Sequence, residues 1–472
     1  MSVFNRTGLD KPEARVPQSN LPRQLTQESA EKVTELSGDD RRGFLKRMLS
    51  VSSGAALGGV ALGGMGATKA LAELSSEANL PPNVPSWTRT LGQGVLTKPY
   101  GEPSSYEKDV IRRTVPWLTA DTISSISMTP LQDLKGIITP SGLAFERYHA
   151  GVPDIDIDQH RLIINGLVEK PLIFTMDELK RFPSVSEIKF LECPANGGME
   201  WKGPQMEGLQ FTHGMISCCE WTGVRLSTLL EEAGVKPEGK WILAEGADGS
   251  AMARSIPIEK ALDDTLVVYG QNGEALRPEQ GYPLRLINPG WEGNTSIKWL
   301  RRLEVGDKPW YMREETSKYT DLLADGRARK FSFVQECNSV ITSPCPEKPW
   351  RAKSGADKGE PSTGWHEIEG MAWSGRGSIK AVDISFDGGV SWVNAPLKGL
   401  VISKALTRFA YRFKWDGEPL LLQSRAVDET GYVQPTLAQL REQRGLNSIY
   451  HKNSIHTWRV ESDGSVRNVQ LG

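Results

Sequence analysis

Histidine and cysteine are scarce in this chain, six and five among 472 residues. The histidines are scattered and none forms an HExxH or other zinc spacing, which excludes the common hydrolytic zinc centres. No CxxCH occurs, so the chain attaches no haem of its own. The cysteines, at positions 193, 218, 219, 337 and 345, are too few and too irregular for a disulfide framework. Cys218 and Cys219 are adjacent and cannot form a CxxC, while a Cys337–Cys345 bridge stays open. An excess of one charge is also missing. The 56 basic residues face 58 acidic ones, without a nucleic-acid or membrane-surface signature. The apolar stretch from Met48 to Met65 holds five glycines and falls short of the ~20 apolar residues a spanning helix needs.

That stretch has another use. Asp40-Arg41-Arg42-Gly43-Phe44-Leu45-Lys46 precedes it and Ala70-Leu71-Ala72 follows it. Paired arginines before a weakly hydrophobic segment with a small-x-small end predict a twin-arginine export leader over residues 1–72. Cleavage is expected after Ala72, with the mature chain in the periplasm. This route carries folded proteins and suits a chain that acquires a cofactor in the cytoplasm. Residues 73–105, rich in Pro, Ser and Glu, read as a linker.

Two differently patterned regions follow. Over residues 106–330 strands and helices alternate, which predicts a mixed α+β domain. His160 to Asn165 reads as a strand. Thr175-Met176-Asp177-Glu178 has capping-box spacing ahead of a helix to Phe182. Leu226, Leu229, Leu230 and Ala233 fall on one helix face. Leu284 to Ile287 and Ile297 to Val305 read as strands again. Residues 331–472 change to short strands and turns. Val382, Ile384 and Phe386 alternate into Asp387-Gly388-Gly389, a hairpin signal, and Phe409, Tyr411 and Phe413 alternate likewise. Leu420 to Leu422 and Arg425 to Val427 add further strand. The pattern predicts an immunoglobulin-like β-sandwich. Carrying no evident catalytic group, it reads as a packing or association module.

The chemistry centres on Cys193, in Glu192-Cys193-Pro194-Ala195-Asn196-Gly197-Gly198, where a strand ends in a tight turn. A thiolate there is a soft ligand suited to a redox-active transition metal. A lone cysteine is otherwise a small buried hydrophobe, and its company singles this one out. Arg147-Tyr148-His149 precedes it by 46 residues. Trp221-Thr222-Gly223-Val224-Arg225-Leu226, Ser255-Ile256-Pro257, Gly281-Tyr282-Pro283-Leu284-Arg285, Pro289-Gly290 and Lys298-Trp299-Leu300 follow in order, then Tyr319 and Tyr432-Val433-Gln434-Pro435. Taken together, these segments resemble the sulfite oxidase family of molybdenum-cofactor enzymes across roughly residues 110–470.

The resemblance implies a molybdenum held by two sulfurs of one pterin and by Cys193. It implies that His149, Arg285 and Lys298 bind the anionic pterin phosphate, since a doubly charged group needs fixed cations. Arg147 and Arg444 match the arginines around the family's substrate pocket, and Tyr319 its active-site tyrosine. Residues 331–472 match its dimerisation domain, implying a homodimer. Three departures stand out: Gly198 where the family has an arginine, Phe211 where it has a pocket tryptophan, and Gln280 where it has a cofactor histidine. The pocket thus loses positive charge and bulk, which argues against a site tuned only for free sulfite. Within the family, this combination is most similar to the molybdenum subunits of sulfane dehydrogenases. That likeness implies a sulfane sulfur on the cysteine arm of a carrier protein as substrate, with the Pro/Gly-rich segment after Cys193 opening the funnel to admit the arm. It also implies a dihaem cytochrome c as electron-accepting partner. Gly198→Arg is then expected to improve use of free sulfite and to hinder the carrier-borne substrate. Two alternatives stand beside this reading, a free-sulfite dehydrogenase and a cofactor-free structural subunit.

Overall fold

Two five-stranded sheets, with a three-stranded one that carries Arg147 and a two-stranded one, form the N-terminal part of the molecule, in a computed structural model that describes residues 103–115, 123–323, 325–351 and 359–471. The expected leader and nearly all of the linker lie outside the described residues. In the first sheet Glu274–Ala275, Leu266–Gln271, Ile216–Arg225 and Ser184–Glu192 lie side by side, and Arg285–Ile287 also pairs with Leu266–Gln271. The second sheet runs Leu172–Phe174, Leu162–Gly166, Leu300–Gly306, Trp241–Gly246, Ala253–Pro257. Its pairing of Leu300–Gly306 with Leu162–Gly166 is parallel. One apolar core holds the two sheets together. Val224, Val267 and Leu286 from the first meet Leu162, Ile242 and Leu303 from the second.

Local signals explain several elements. Leu226–Ala233 is a helix that buries Leu226, Leu229, Leu230 and Ala233 and ends at Gly234 in the left-handed region. Glu178 N donates to the Thr175 hydroxyl at 3.2 Å and Thr175 N donates to the Glu178 carboxylate at 2.8 Å, a complete capping box. The helix it starts is only Met176–Leu179, with turns carrying the chain on to Phe182. The strand expected from Ile297 begins at Leu300, because Trp299 takes φ 54° and breaks the extended run.

The C-terminal part is a sandwich. One sheet orders Asn338–Ser343, Gly364–Trp373, Thr407–Trp415, Leu397–Lys398; the other orders Val393–Ala395, Ile379–Ser385, Leu420–Asp428, Thr457–Val460, Val466–Val469. Ile379–Ser385 and Val393–Ala395 form the expected antiparallel hairpin, joined through Gly388 and Gly389 at φ 75° and 94°. Leu420 to Val427, read as two pieces, is one strand. Trp373, Trp415 and Trp458 fill the core between the sheets, and the same cluster continues into Leu131, Phe190, Ile216 and Cys218 of the N-terminal part. Cys337 and Cys345 are buried free thiols, so no bridge joins them.

Candidate active site around Cys193

Ser184–Glu192 passes from exposed at its start to buried at its end, and so delivers Cys193 into the interior. The turn beyond it is held by Asn196. Asn196 N donates to Cys193 O at 2.9 Å, its amide group donates to the Glu192 carboxylate at 2.9 Å, and its oxygen accepts Met215 N at 3.1 Å. Gly197 completes the turn at φ 72°. Burial pushes the Cys193 thiol up to about 11, against a smaller opposing effect of the Ala195 N–H. The thiol is therefore protonated in the bare protein, and a metal ion would displace that proton.

Arg147, His149, Cys193, Arg285, Lys298 and Tyr319 line one cavity, bringing together six of the seven residues singled out from sequence. Lys298 Nζ donates to Glu279 O at 2.9 Å and lies over the Trp299 ring at 4.5 Å. Burial, aided by the Arg285 charge, lowers its ammonium to about 7. Arg285 is buried over the face of Trp221, and burial lowers it to about 10. Its Nη1 donates to the backbone and side-chain oxygens of Gln280 at 3.0 and 3.1 Å, while its Nε is buried without a partner. Gln280, the departure from a histidine, thus orients Arg285. Burial and then the Arg147 charge bring His149 down to about 4. Arg147 donates to Ser125 O at 3.2 Å and Tyr148 O at 2.5 Å. Among the described residues Arg147, Arg285 and Lys298 form no ion pair. Glu146 and Asp248 also lie on the cavity wall, but neither pairs with the buried Arg285 or Lys298, and these cations, one with an orphaned N–H, fit a bound multiply charged anion. No cluster of three or more metal-ligating side chains occurs among the described residues. A metal here would need ligands brought by a cofactor, as a pterin dithiolate brings them.

The seventh residue is elsewhere. Arg444 ends the helix Leu437–Arg444, is buried, and donates to Asp321 at 2.7 Å. Its charge is neutralised and it lines none of the cavities at Cys193, contrary to the expected place at the substrate pocket. Gly198 also behaves differently from expectation. A Cβ built on Gly198 would collide with the Ile449 carbonyl, because the C-terminal part packs its backbone against this turn. An arginine at 198 has no space in this packing, contrary to the substitution expected to improve use of free sulfite. Phe211 packs beside Cys193 with Ile126, Met128 and Met215.

Sequence reasoning missed several residues. Tyr319, at φ 55°, packs its ring at a tilt against Tyr450, with centroids 5.1 Å apart, and the Arg254 guanidinium lies 5.8 Å from its ring. Arg254 also pairs with Glu292 at 3.2 Å and Glu315 at 3.5 Å. Burial drives Glu292 upward, but the His451 hydrogen bond at 2.8 Å and the Arg254 charge hold it down at about 2. Arg313, Lys318, Ile449 and Tyr450 border a second cavity of about 320 Å³ that opens beside Cys193, Arg147 and Tyr319. Arg254 adjoins the Ser255-Ile256-Pro257 segment, a signal that could have drawn attention to it. Nothing local marks Glu292, His451 or Tyr450.

A buried thiol at a strand end, facing desolvated cations in a mixed α+β domain followed by a sandwich, defines a pterin-type metal oxidoreductase. Residues 149–313 match the oxidoreductase molybdopterin binding domain, and residues 329–458 the Mo-co oxidoreductase dimerisation domain. The chain belongs to the sulfite oxidase family of molybdenum oxidoreductases. It is 54% identical to a chain of the sulfane dehydrogenase SoxCD from Paracoccus pantotrophus, with a TM-score of 0.79, over 83% of this chain and 98% of that one. It is 30% identical to the mitochondrial sulfite oxidase of Macaca fascicularis, over 74% of this chain and 67% of that protein. It is 32% identical to an NADH nitrate reductase of Ulva prolifera, of which it spans only 34%.

Proposed function

We propose that this chain is the molybdenum subunit of a sulfane dehydrogenase, oxidising carrier-borne sulfane sulfur to the sulfonate level. The observation that carries this reading is the 54% identity with a SoxCD chain, spread over 98% of that chain. The cofactor would supply two-electron oxygen-atom transfer to sulfur. Cys193 would ligate the metal, and Arg285, Lys298 and His149 would hold the pterin phosphate. Arg147 presents fixed positive charge to an anionic sulfur group, and Tyr319 presents a hydroxyl that burial keeps protonated. Each two-electron turn adds one oxygen from water to the sulfur, releases two protons and passes two electrons to the c-type haems of a partner cytochrome. Three turns convert a sulfane to a sulfonate.

Free sulfite is the second reading, favoured by the likeness to sulfite oxidases. Steady-state turnover of molybdenum-loaded protein with a c-type cytochrome decides between them. Sulfane on a carrier cysteine should be preferred, and preference for free sulfite would reject the proposal. The third reading, a cofactor-free subunit, leaves the desolvated cations at Cys193 unexplained; purified protein without molybdenum would favour it. The twin-arginine segment supports a periplasmic location, which cell fractionation tests. The C-terminal family match supports a homodimer within a complex with the cytochrome, and a light-scattering mass of one copy would contradict it.

A further inference from the structure

The second cavity has walls of unlike character. Arg147, Arg313 and Lys318 lie on its cationic side, while Ile449 and Tyr450 come from the C-terminal part, beyond the helix Leu437–Arg444. The segment that carries them is fastened at several points. Ser448 Oγ donates to Asp321 at 2.5 Å, beside the Arg444 bond to the same carboxylate. His451 N donates to Pro194 O at 2.7 Å, next to Cys193, and the His451 side chain bonds Glu292. The Ile449 carbonyl fills the room that a side chain at 198 would occupy. Fixed this way, the segment turns Tyr450 onto Tyr319 and leaves the Ile449 side chain 54% exposed at the cavity border. Leu446 at 65% and Met199 at 44% add exposed apolar surface on the same segment and the facing turn.

We propose that Leu446–Tyr450 is the substrate-selecting wall of the site, with Ile449 its principal specificity residue. An uncharged wall in contact with Gly198 gives a small free dianion no cation on that side. The same surface suits the uncharged spacer of an extended substrate whose sulfur reaches Cys193. The C-terminal domain, read from sequence as an association module, then takes part in choosing the substrate. This inference rests on the sulfur-substrate reading, yet its main test does not need turnover.

Ile449→Arg places a cation at this exposed position without disturbing a packed side chain, and Ile449→Gln is the uncharged control. Sulfate, titrated into the molybdenum-loaded full chain, is the probe. Ile449→Arg should tighten sulfate binding about tenfold or more, as one added charge-assisted hydrogen bond does, while Ile449→Gln should not. In turnover, Ile449→Arg should raise kcat/KM for free sulfite several-fold and lower it for a persulfide on an uncharged peptide. Sulfate affinity within twofold of wild type overturns the inference. A wild-type enzyme inactive on both substrates rejects the proposed function, while the sulfate titration still decides the role of the wall.

Discussion

At the scale of single residues, the site is a set of groups held in states that bare protein disfavours. Cys193 is a protonated buried thiol until a metal takes its proton. Cys193→Ser keeps the small side chain but offers a harder, less donating oxygen. The variant should fold with an unchanged melting temperature yet show an altered electronic spectrum of the bound metal and no turnover; a wild-type spectrum with near-normal activity would remove Cys193 as the ligand. Lys298 gives a sharper test. Its folded value of about 7 lies below the ordinary 10.5, so the folded bare protein binds this proton less readily than the unfolded chain. The resulting destabilisation is fully present below pH 7 and fades as pH rises towards 10.5. Lys298→Met should therefore stabilise cofactor-free protein near pH 7, with the gain shrinking by pH 10. In loaded protein the same variant should lose cofactor, because the bound anion offsets the buried charge. Denaturant melts at two pH values, with and without cofactor, separate these outcomes.

At the scale of elements, legibility in the sequence follows the range of the interaction. The Thr175 capping box, the Leu226–Ala233 helix face, the Gly388-Gly389 hairpin and the Cys193 turn are fixed by neighbours a few residues away, and each was readable. Trp221-x-Gly223-x-Arg225 was readable as a pattern, and packing explains it. A Cβ at Gly223 would collide with the Val267 backbone, Trp221 lies under Arg285, and Arg225 pairs with Glu187 at 2.5 Å. Arg444 and Gly198 misled because their partners, Asp321 and Ile449, are more than a hundred residues distant and carry no local mark. The contact at Gly198 makes its own prediction. Gly198→Ala adds a methyl group against a carbonyl rather than against a yielding side chain. Overpacking of this kind costs about 1–3 kcal/mol. It should also loosen Tyr450 from Tyr319, so turnover should fall more than stability alone explains. A variant with unchanged stability and kinetics would mean that the Leu446–Tyr450 segment yields freely.

Across the whole molecule, the two parts are joined by a buried seam that starts beside Cys193. Glu192, the residue before Cys193, accepts Trp373 Nε1 from the sandwich at 2.8 Å, and its carbonyl accepts Gln335 Nε2 at 3.1 Å. Gly290 and Gly375 bring the two backbones so close that neither tolerates a Cβ. Burial pushes the Glu192 carboxyl up to about 7, against the Asn196 and Trp373 hydrogen bonds. Its folded value exceeds the ordinary 4.5, so its contribution to stability is fully present below pH 4.5 and is lost as pH rises through 7. Above pH 7 the ionised carboxylate depends on those two donors. Trp373→Phe removes one of them while keeping an aromatic ring in the sandwich core. Leaving a buried carboxylate short of a donor costs about 1–3 kcal/mol, and more at pH 8 than at pH 5. Because that carboxylate also receives Asn196, which shapes the Cys193 turn, the loss should reach the metal site. The variant should show one cooperative unfolding transition, lowered more at the higher pH, together with faster loss of molybdenum on dilution. A lowered transition with unchanged metal retention would show that the seam holds the domains together without supporting the site.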